Sequence, residues 1–198
     1  MVEHVIFYWI MWAAWIVAAF FMKKSTGRTI ISLIILLCIG LVDLFIEFDS
    51  FYIRAAFLLI ISTGYYLAAK NERKVYFFLS VMALTSAYAG IHLFEIYDPV
   101  WFLIDRSAVI TGLLGMLSIY LGKSMAERLG IFILSMSQGE FLFWVILGKF
   151  HQGLTIGTSD YLNMAAAGFA IICVWTYLGS TTAAFNQHVQ KSAKGNGA

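Results

Sequence analysis

Seven long apolar runs, separated by short polar segments, dominate the hydrophobicity pattern of the chain. Each run has enough residues to cross a hydrocarbon core of roughly 30 Å as a helix that rises about 1.5 Å per residue. The pattern therefore predicts an all-α membrane protein, with a single seven-helix domain over 1–185 and a polar tail over 186–198. The predicted spans are 5–22, 30–48, 53–69, 75–96, 101–121, 129–147 and 162–184.

The composition agrees with this pattern. Of the 198 residues, 61% are hydrophobic and 12% are charged, and the mean hydropathy is +0.83. A soluble domain has about a quarter of its residues charged, so lipid is the expected solvent of this chain. The net charge of +2 gives no reason to expect nucleic acid as a partner. Both cysteines lie inside apolar runs and outside any paired motif, and no cofactor is predicted.

The basic residues predict the orientation in the membrane. A first span preceded by Glu3 and followed by Lys23 and Lys24 has its N-terminus outside. With that orientation, ten of the thirteen basic residues fall in segments that face the cytoplasm, and the C-terminus is cytoplasmic as well. The ten are Lys23, Lys24, Arg28, Lys70, Arg73, Lys74, Lys123, Arg128, Lys191 and Lys194.

Polar residues inside the predicted spans are the candidates for chemistry. Thr85, Tyr88, His92 and Glu95 recur at helical spacing and form one polar stripe on the fourth span, just before a turn at Pro99. Lipid cannot hydrogen-bond such groups, so the stripe is expected to face other helices or a wet cavity. Acids four residues apart in the second span are expected to share a helix face, and the whole cluster is expected in the outer half of the membrane. Its members are Asp43, Glu47, Arg54, Tyr88, His92, Glu95, Asp105, Arg106, Gln138 and Glu140.

Three interpretations of this cluster stay open. In the first, it is a structural network in which arginines neutralise acids. In the second, it forms an outward-facing pocket for a lipid or small solute, or serves a transporter in which Glu140 carries protons. In the third, His92, Glu95, Glu140 and Asp43 hold a metal for hydrolysis of a lipid. A single histidine is thin support for catalytic zinc, so no metal ion is assigned and a protein that is not an enzyme is favoured.

Two segments resemble a known family. They are Phe7-Tyr-Trp-Ile-Met-Trp-Ala-Ala-Trp-Ile with the following Phe20-Phe-Met-Lys-Lys24, and Phe94-Glu-Ile-Tyr-Asp-Pro-Val-Trp-Phe-Leu-Ile-Asp-Arg106. Both are similar to the YphA-like membrane proteins of Bacillus-type bacteria. The resemblance implies a multi-pass protein in the plasma membrane of a Gram-positive bacterium, and it assigns no catalytic or binding residue. The expected role is that of an envelope-associated packing or binding protein, with the bilayer and other envelope proteins, a lipid or a small solute as partners.

Overall fold

A computed structural model describes residues 4–48, 51–97, 105–148 and 154–195, without the side chains of residues 48, 97 and 183–195. This part of the chain forms seven helices and three short strands, and the predicted turn at Pro99 lies outside it. The helices are α1 (Val5–Ile16), continued by a π-helical segment (Val17–Phe21), α2 (Thr26–Gly40), α3 (Ala55–Ala69), α4 (Lys74–Tyr97), α5 (Arg106–Leu121), α6 (Met125–Leu147) and α7 (Ser159–Gly195).

Three of the helices are long and apolar enough to cross a membrane. Their membrane-length parts are Lys74–Ile96 in α4, Met125–Leu147 in α6 and Ser159–Thr182 in α7. The other four apolar helices have at most 17 residues. Such a helix rises about 25 Å, which is less than the roughly 30 Å of a typical hydrocarbon core. Length and composition therefore identify three membrane-length helices, and the seven full spans remain a prediction.

A small sheet departs from the predicted all-α fold. It consists of β1 (Phe45–Phe48), β2 (Phe51–Arg54) and β3 (Leu154–Ile156) in the order β1-β2-β3, antiparallel between β1 and β2 and parallel between β2 and β3. The prediction of a helix over 30–48 is wrong beyond Gly40, where α2 ends. The aromatic and β-branched residues of 45–54 favour strands, and pairing with β3 gives their backbone groups partners outside any helix.

Helix α6 is the centre of the bundle, because it packs against α3, α4, α5 and α7. Glycines make the closest approaches possible. A Cβ atom on Gly64 of α3 would lie 2.9 Å from Leu134, and one on Gly168 of α7 would lie 2.0 Å from Phe132. Both distances are too short for a real side chain, so these positions fix how closely α3 and α7 lie against α6.

The C-terminal part differs from the predicted boundary of a helix at 184. Helix α7 continues without interruption to Gly195 and has 37 residues. At about 1.5 Å per residue it is roughly 55 Å long, almost twice the thickness of a hydrocarbon core. The polar residues from Asn186 to Gly195 therefore extend this helix and do not form a separate irregular tail.

Candidate functional site

The carboxylate of Glu140 is the centre of a buried polar cluster. Its Oε2 accepts a hydrogen bond from Tyr88 Oη at 2.7 Å, and its Oε1 accepts one from Trp144 Nε1 at 2.9 Å. Thr158 Oγ1 is a third donor, at 3.4 Å from Oε1. Glu140 is 2% exposed and Tyr88 is fully buried. We call Glu140 and these three donors the Glu140 centre; it joins α4, α6 and the residue that precedes α7.

A glycine next to Glu140 allows this arrangement. A Cβ atom on Gly139 would lie 2.6 Å from Cδ1 of the Tyr88 ring, so no other residue type fits without moving α4 away from α6. Because residue 139 is glycine, the Tyr88 ring can pack against α6 and its hydroxyl group can donate a hydrogen bond to Glu140. The ring of His92 stacks on that of Tyr88, with ring centroids 4.3 Å apart, and its Nδ1 lies 3.1 Å from the Tyr88 carbonyl oxygen.

Arg106 forms an ion-pair bridge across the same end of the bundle. Its Nη1 donates to Glu95 Oε2 at 2.9 Å and its Nη2 donates to Asp160 Oδ2 at 2.8 Å. The bridge thus connects the first residue of α5 with the end of α4 and the start of α7. Glu95 and Asp160 are partly exposed, so water screens both pairs.

Arg54 joins a different set of elements. It is buried at the end of β2, where its Nε donates to the carbonyl oxygen of Gly157 at 2.7 Å and its Nη1 donates to that of Val42. Nη1 also lies 3.3 Å from Nε2 of His4, the residue that precedes α1. His4 is therefore part of the packed structure rather than a solvated terminal residue.

These contacts meet in one short stretch, which we call the 157–161 segment (Gly157–Tyr161). Gly157 accepts from Arg54, Thr158 donates to Glu140, Asp160 accepts from Arg106, and Tyr161 Oη lies 2.7 Å from Ser137 Oγ. Ser159 Oγ lies 3.3 Å from His4 Nε2. Five consecutive residues thus contact side chains from β2, α5, α6 and His4, the residue that precedes α1.

Gly157 allows the segment to take this path. Its φ is +78°, in the left-handed region that L side chains rarely adopt. A Cβ atom there would also lie 2.7 Å from the Cβ of Phe57. The positive φ and the lack of space for a Cβ atom both require glycine at residue 157, whose carbonyl oxygen accepts from Arg54.

A second buried carboxylate lies at the other end of α6. Glu127 accepts from Arg73 Nη2 at 2.9 Å with both oxygens, and its Oε2 accepts from the backbone N–H of Lys123 at 2.8 Å. Its own N–H donates to Ser124 Oγ at 3.2 Å. We call this group the Glu127 clasp. It joins the α3–α4 connection to the α5–α6 connection.

Four predicted cluster residues are in neither the Glu140 centre, the Arg106 bridge, the Arg54 contacts nor the His92–Tyr88 stack. Asp43 is exposed in the turn after α2 and Glu47 is exposed on β1, so the prediction that they share a helix face is wrong because the helix has already ended. Asp105 caps α5 by accepting from the backbone N–H of Ala108 at 3.0 Å. Gln138 donates to Tyr65 Oη at 3.1 Å and lies 3.4 Å from Thr85 Oγ1.

Three of the four members of the predicted polar stripe on α4 lie on a buried face, and the fourth, Glu95, is partly exposed. Thr85, Tyr88 and His92 are all buried, and Thr85 and Tyr88 contact α6.

The four residues proposed from the sequence as metal ligands are not close enough together to bind one ion. Among the residues that the structure describes, which include Asp43, His92, Glu95 and Glu140, no three His, Cys, Asp or Glu side chains lie close enough together to hold an ion.

Comparison with known proteins agrees with the membrane character of this arrangement. The model of the family described as YphA-like integral membrane protein matches residues 3–198. The chain belongs to this family. A YphA-like relative, the uncharacterized protein YphA of Bacillus subtilis (strain 168), is 26% identical over 196 residues, covering 98% of this chain and 97% of its own length. No solved structure matches.

For this YphA-like chain, sequence reasoning missed Trp144, Thr158, Tyr161, Ser137 and Glu127 as members of polar clusters. Two of these had a usable signal. The stretch Ser124-Met-Ala-Glu127 has the Ser-x-x-Glu spacing of a capping box, which predicts a helix start at Met125 and contacts between the two side chains and the first turn. Trp144 lies four residues after Glu140 on the same helix, a spacing at which side chains meet. The other three residues have no local signal, because their partners lie on other elements.

Proposed function

We propose that this YphA-like protein crosses the plasma membrane seven times, with its N-terminus outside and its C-terminus in the cytoplasm. The basic-residue asymmetry, ten of thirteen on one side, supports this orientation. Contacts between connections support it too. The Glu127 clasp joins two connections on the proposed cytoplasmic side, whereas Arg106 and Arg54 join connections on the proposed outer side.

We further infer that the outer-half polar cluster holds the helices together and that the protein serves the cell envelope by packing with or binding another envelope protein. This inference is supported by the hydrogen bonds of Glu140, whose carboxylate oxygens accept from Tyr88, Trp144 and Thr158. A carboxylate whose partners are side chains of its own bundle stabilises that bundle and is not presented to a substrate.

A flux measurement separates this role from transport. We expect vesicles that contain the purified protein to show the same proton and solute flux as vesicles of lipid alone. We also expect Glu140→Gln and His92→Ala to lower the unfolding temperature and to leave the flux at that level. A flux that is present with the native protein and lost in Glu140→Gln would replace the packing role with transport.

The orientation has its own experiment. A reporter that is active only in the cytoplasm should be active when fused after Ala198, and the same reporter fused before Met1 should be inactive. Activity at both ends would require an even number of spans. The reverse pattern would invert the proposed topology.

A further inference from the structure

The amide of Gln138 lies near the middle of the membrane-length helices and at the surface of the bundle. Its Oε1 is 3.4 Å from the hydroxyl of Thr85, the central residue of Lys74–Ile96. Gln138 is partly exposed, and Tyr65, which it also contacts, is 53% exposed. The helix end at Leu147 is nine residues or about 14 Å away, so the amide cannot reach the membrane surface.

Half of the hydrogen-bonding capacity of this amide has no partner within the described part of the chain. Its Nε2 donates one N–H to Tyr65 Oη at 3.1 Å, and its Oε1 accepts from Thr85. An amide has two N–H groups and two acceptor lone pairs, so one of each remains. Hydrocarbon cannot hydrogen-bond them, and an unpaired polar group in lipid costs free energy. A polar group outside the chain is therefore expected to complete the amide.

Three apolar residues continue the surface on which Gln138 lies. Phe141, Leu142 and Val145 follow it by three, four and seven residues, so all four share one face of α6. The three apolar side chains are between 38% and 49% exposed, so neighbouring helices leave this face uncovered. Their spacing is the one with which a helix packs along another helix. We call these four residues the Gln138 face.

We propose that the Gln138 face is the interface of a homodimer, in which two Gln138 amides pair across a twofold axis perpendicular to the membrane. Two copies inserted in the same direction have residue 138 at the same depth, so each amide meets an identical one. Each amide donates its second N–H to the carbonyl oxygen of the other, and two reciprocal hydrogen bonds complete both. The face has no charged residue, so association brings no like charges together.

A second copy fits this face better than the other occupants. Lipid covers apolar side chains but offers no hydrogen-bonding group at this depth. A different protein would need an amide at the same depth, whereas a second copy has one by symmetry. Hydrogen bonds between such side chains promote the association of transmembrane helices.

The homodimer names a partner for the packing role proposed above and rests on that role, because it requires a bundle embedded in lipid. The Glu140 centre takes no part in the interface. Association tests the homodimer and flux tests the role of Glu140, so either proposal can fail without the other.

Energy transfer between labelled copies tests the association. Donor and acceptor fluorescent proteins are fused after Ala198 of the full chain and reconstituted together in phosphatidylcholine vesicles at decreasing protein-to-lipid ratios. We expect energy transfer above the level of random proximity. Gln138→Leu should raise the dissociation constant about tenfold, as expected for the loss of two interhelical hydrogen bonds.

The control for this measurement is Tyr120→Leu. It removes a hydroxyl group from a side chain of α5 that is 87% exposed and lies outside the Gln138 face, so the dissociation constant should not change. Energy transfer no greater than random proximity, or the same dissociation constant for Gln138→Leu as for the native chain, would overturn the homodimer.

Cross-linking retains Gln138 and therefore does not depend on whether Gln138→Leu folds. In a Cys38→Ala, Cys173→Ala background, Leu142→Cys places a thiol on the Gln138 face and Leu113→Cys places one on α5. The two leucines are 40% and 41% exposed, so they form a matched pair. Oxidation in vesicles should link Leu142→Cys chains about tenfold faster, because the interface raises the local concentration of that thiol. Equal rates, or faster linking of Leu113→Cys, would refute the interface.

Discussion

Glu140 and Glu127 are two buried carboxylates on one helix, and they stabilise the bundle in different ways. Glu127 lies in the first turn of α6, where Ser124 is a near neighbour in sequence and Arg73 is 39% exposed. Glu140 lies deep in α6, and its partner Tyr88 is fully buried and 52 residues away in sequence. Glu127 therefore belongs to a capped helix start reinforced by a partly hydrated ion pair, whereas two of the three donors to Glu140, Tyr88 and Thr158, lie outside α6.

Glu140→Ala should cause the largest loss of stability. The change leaves the buried hydroxyl of Tyr88 and the indole N–H of the partly buried Trp144 without an acceptor, at a cost of about 3 kcal/mol in the free energy of unfolding. Thermal unfolding of the purified protein in detergent measures the loss. Glu72→Ala, at an exposed position near the start of α4, is the matched control and should change little. Equal unfolding temperatures for the two variants would show that the centre contributes no stability.

Gly139→Ala should come next. The added methyl group meets the Tyr88 ring at 2.6 Å and separates α4 from α6, which costs about 2 kcal/mol through overpacking. Gly90→Ala is the control, because a Cβ atom there meets nothing within 4 Å and alanine is the better helix former. In chemical denaturation, we expect Gly139→Ala to lower the free energy of unfolding and Gly90→Ala to raise it. A stabilising effect at Gly139 would contradict the close approach of α4 to α6.

Glu127→Ala should have a smaller effect than Glu140→Ala. Water can hydrate Arg73 once its partner is removed, and the Ser124 cap remains in place, so we expect a loss of about 1 kcal/mol. Raising the salt concentration should weaken the native clasp and leave the Glu140 centre unchanged. If both carboxylates respond equally to salt, the distinction between a hydrated and a buried site is wrong.

Asp160→Asn should have the smallest effect of the four. Asp160 is 58% exposed, and its pair with Arg106 is shared with Glu95, so the expected loss is under about 0.5 kcal/mol. Double substitution with Glu95→Gln measures the coupling between the two acids. A loss near that of Glu140→Ala would show that the Arg106 bridge, and not the Glu140 centre, fixes the start of α7.

Part of the architecture could be predicted because it depends on the hydropathy of consecutive residues along the chain. The apolar runs identified all seven helices, and the stripe from Thr85 to Glu95 indicated which face of α4 is buried. The first strand, β1, was missed because three of its four residues are apolar and continue the apolar run of α2. Hydropathy alone does not distinguish a strand from a continued helix, and the strand that stabilises the hairpin, β3, follows about a hundred residues later.

The candidate site was also only partly predictable: the sequence identified several of its residues but not which of them contact each other. Candidates such as Glu140, His92 and Arg106 stand out because ionisable groups are rare in apolar runs. Their grouping could not be predicted. Asp43 and Glu47 were expected to join the cluster through helical spacing, and both are exposed because α2 ends before them. Thr158 was part of an ordinary polar connection, and only its contact with Glu140 distinguishes it.

The sequence by itself determined that this chain is a membrane protein with helices in its apolar runs and with most of its basic residues in alternate connections. Hydropathy and charge act residue by residue, so a linear pattern is enough to express them. The tertiary structure alone decided that Gly139 admits Tyr88, that Tyr88 and Thr158 donate to Glu140 from outside its own helix, and that the 157–161 segment contacts several elements. Hydrogen bonds need atoms at about 3 Å, and only the packed helices bring these distant residues so close.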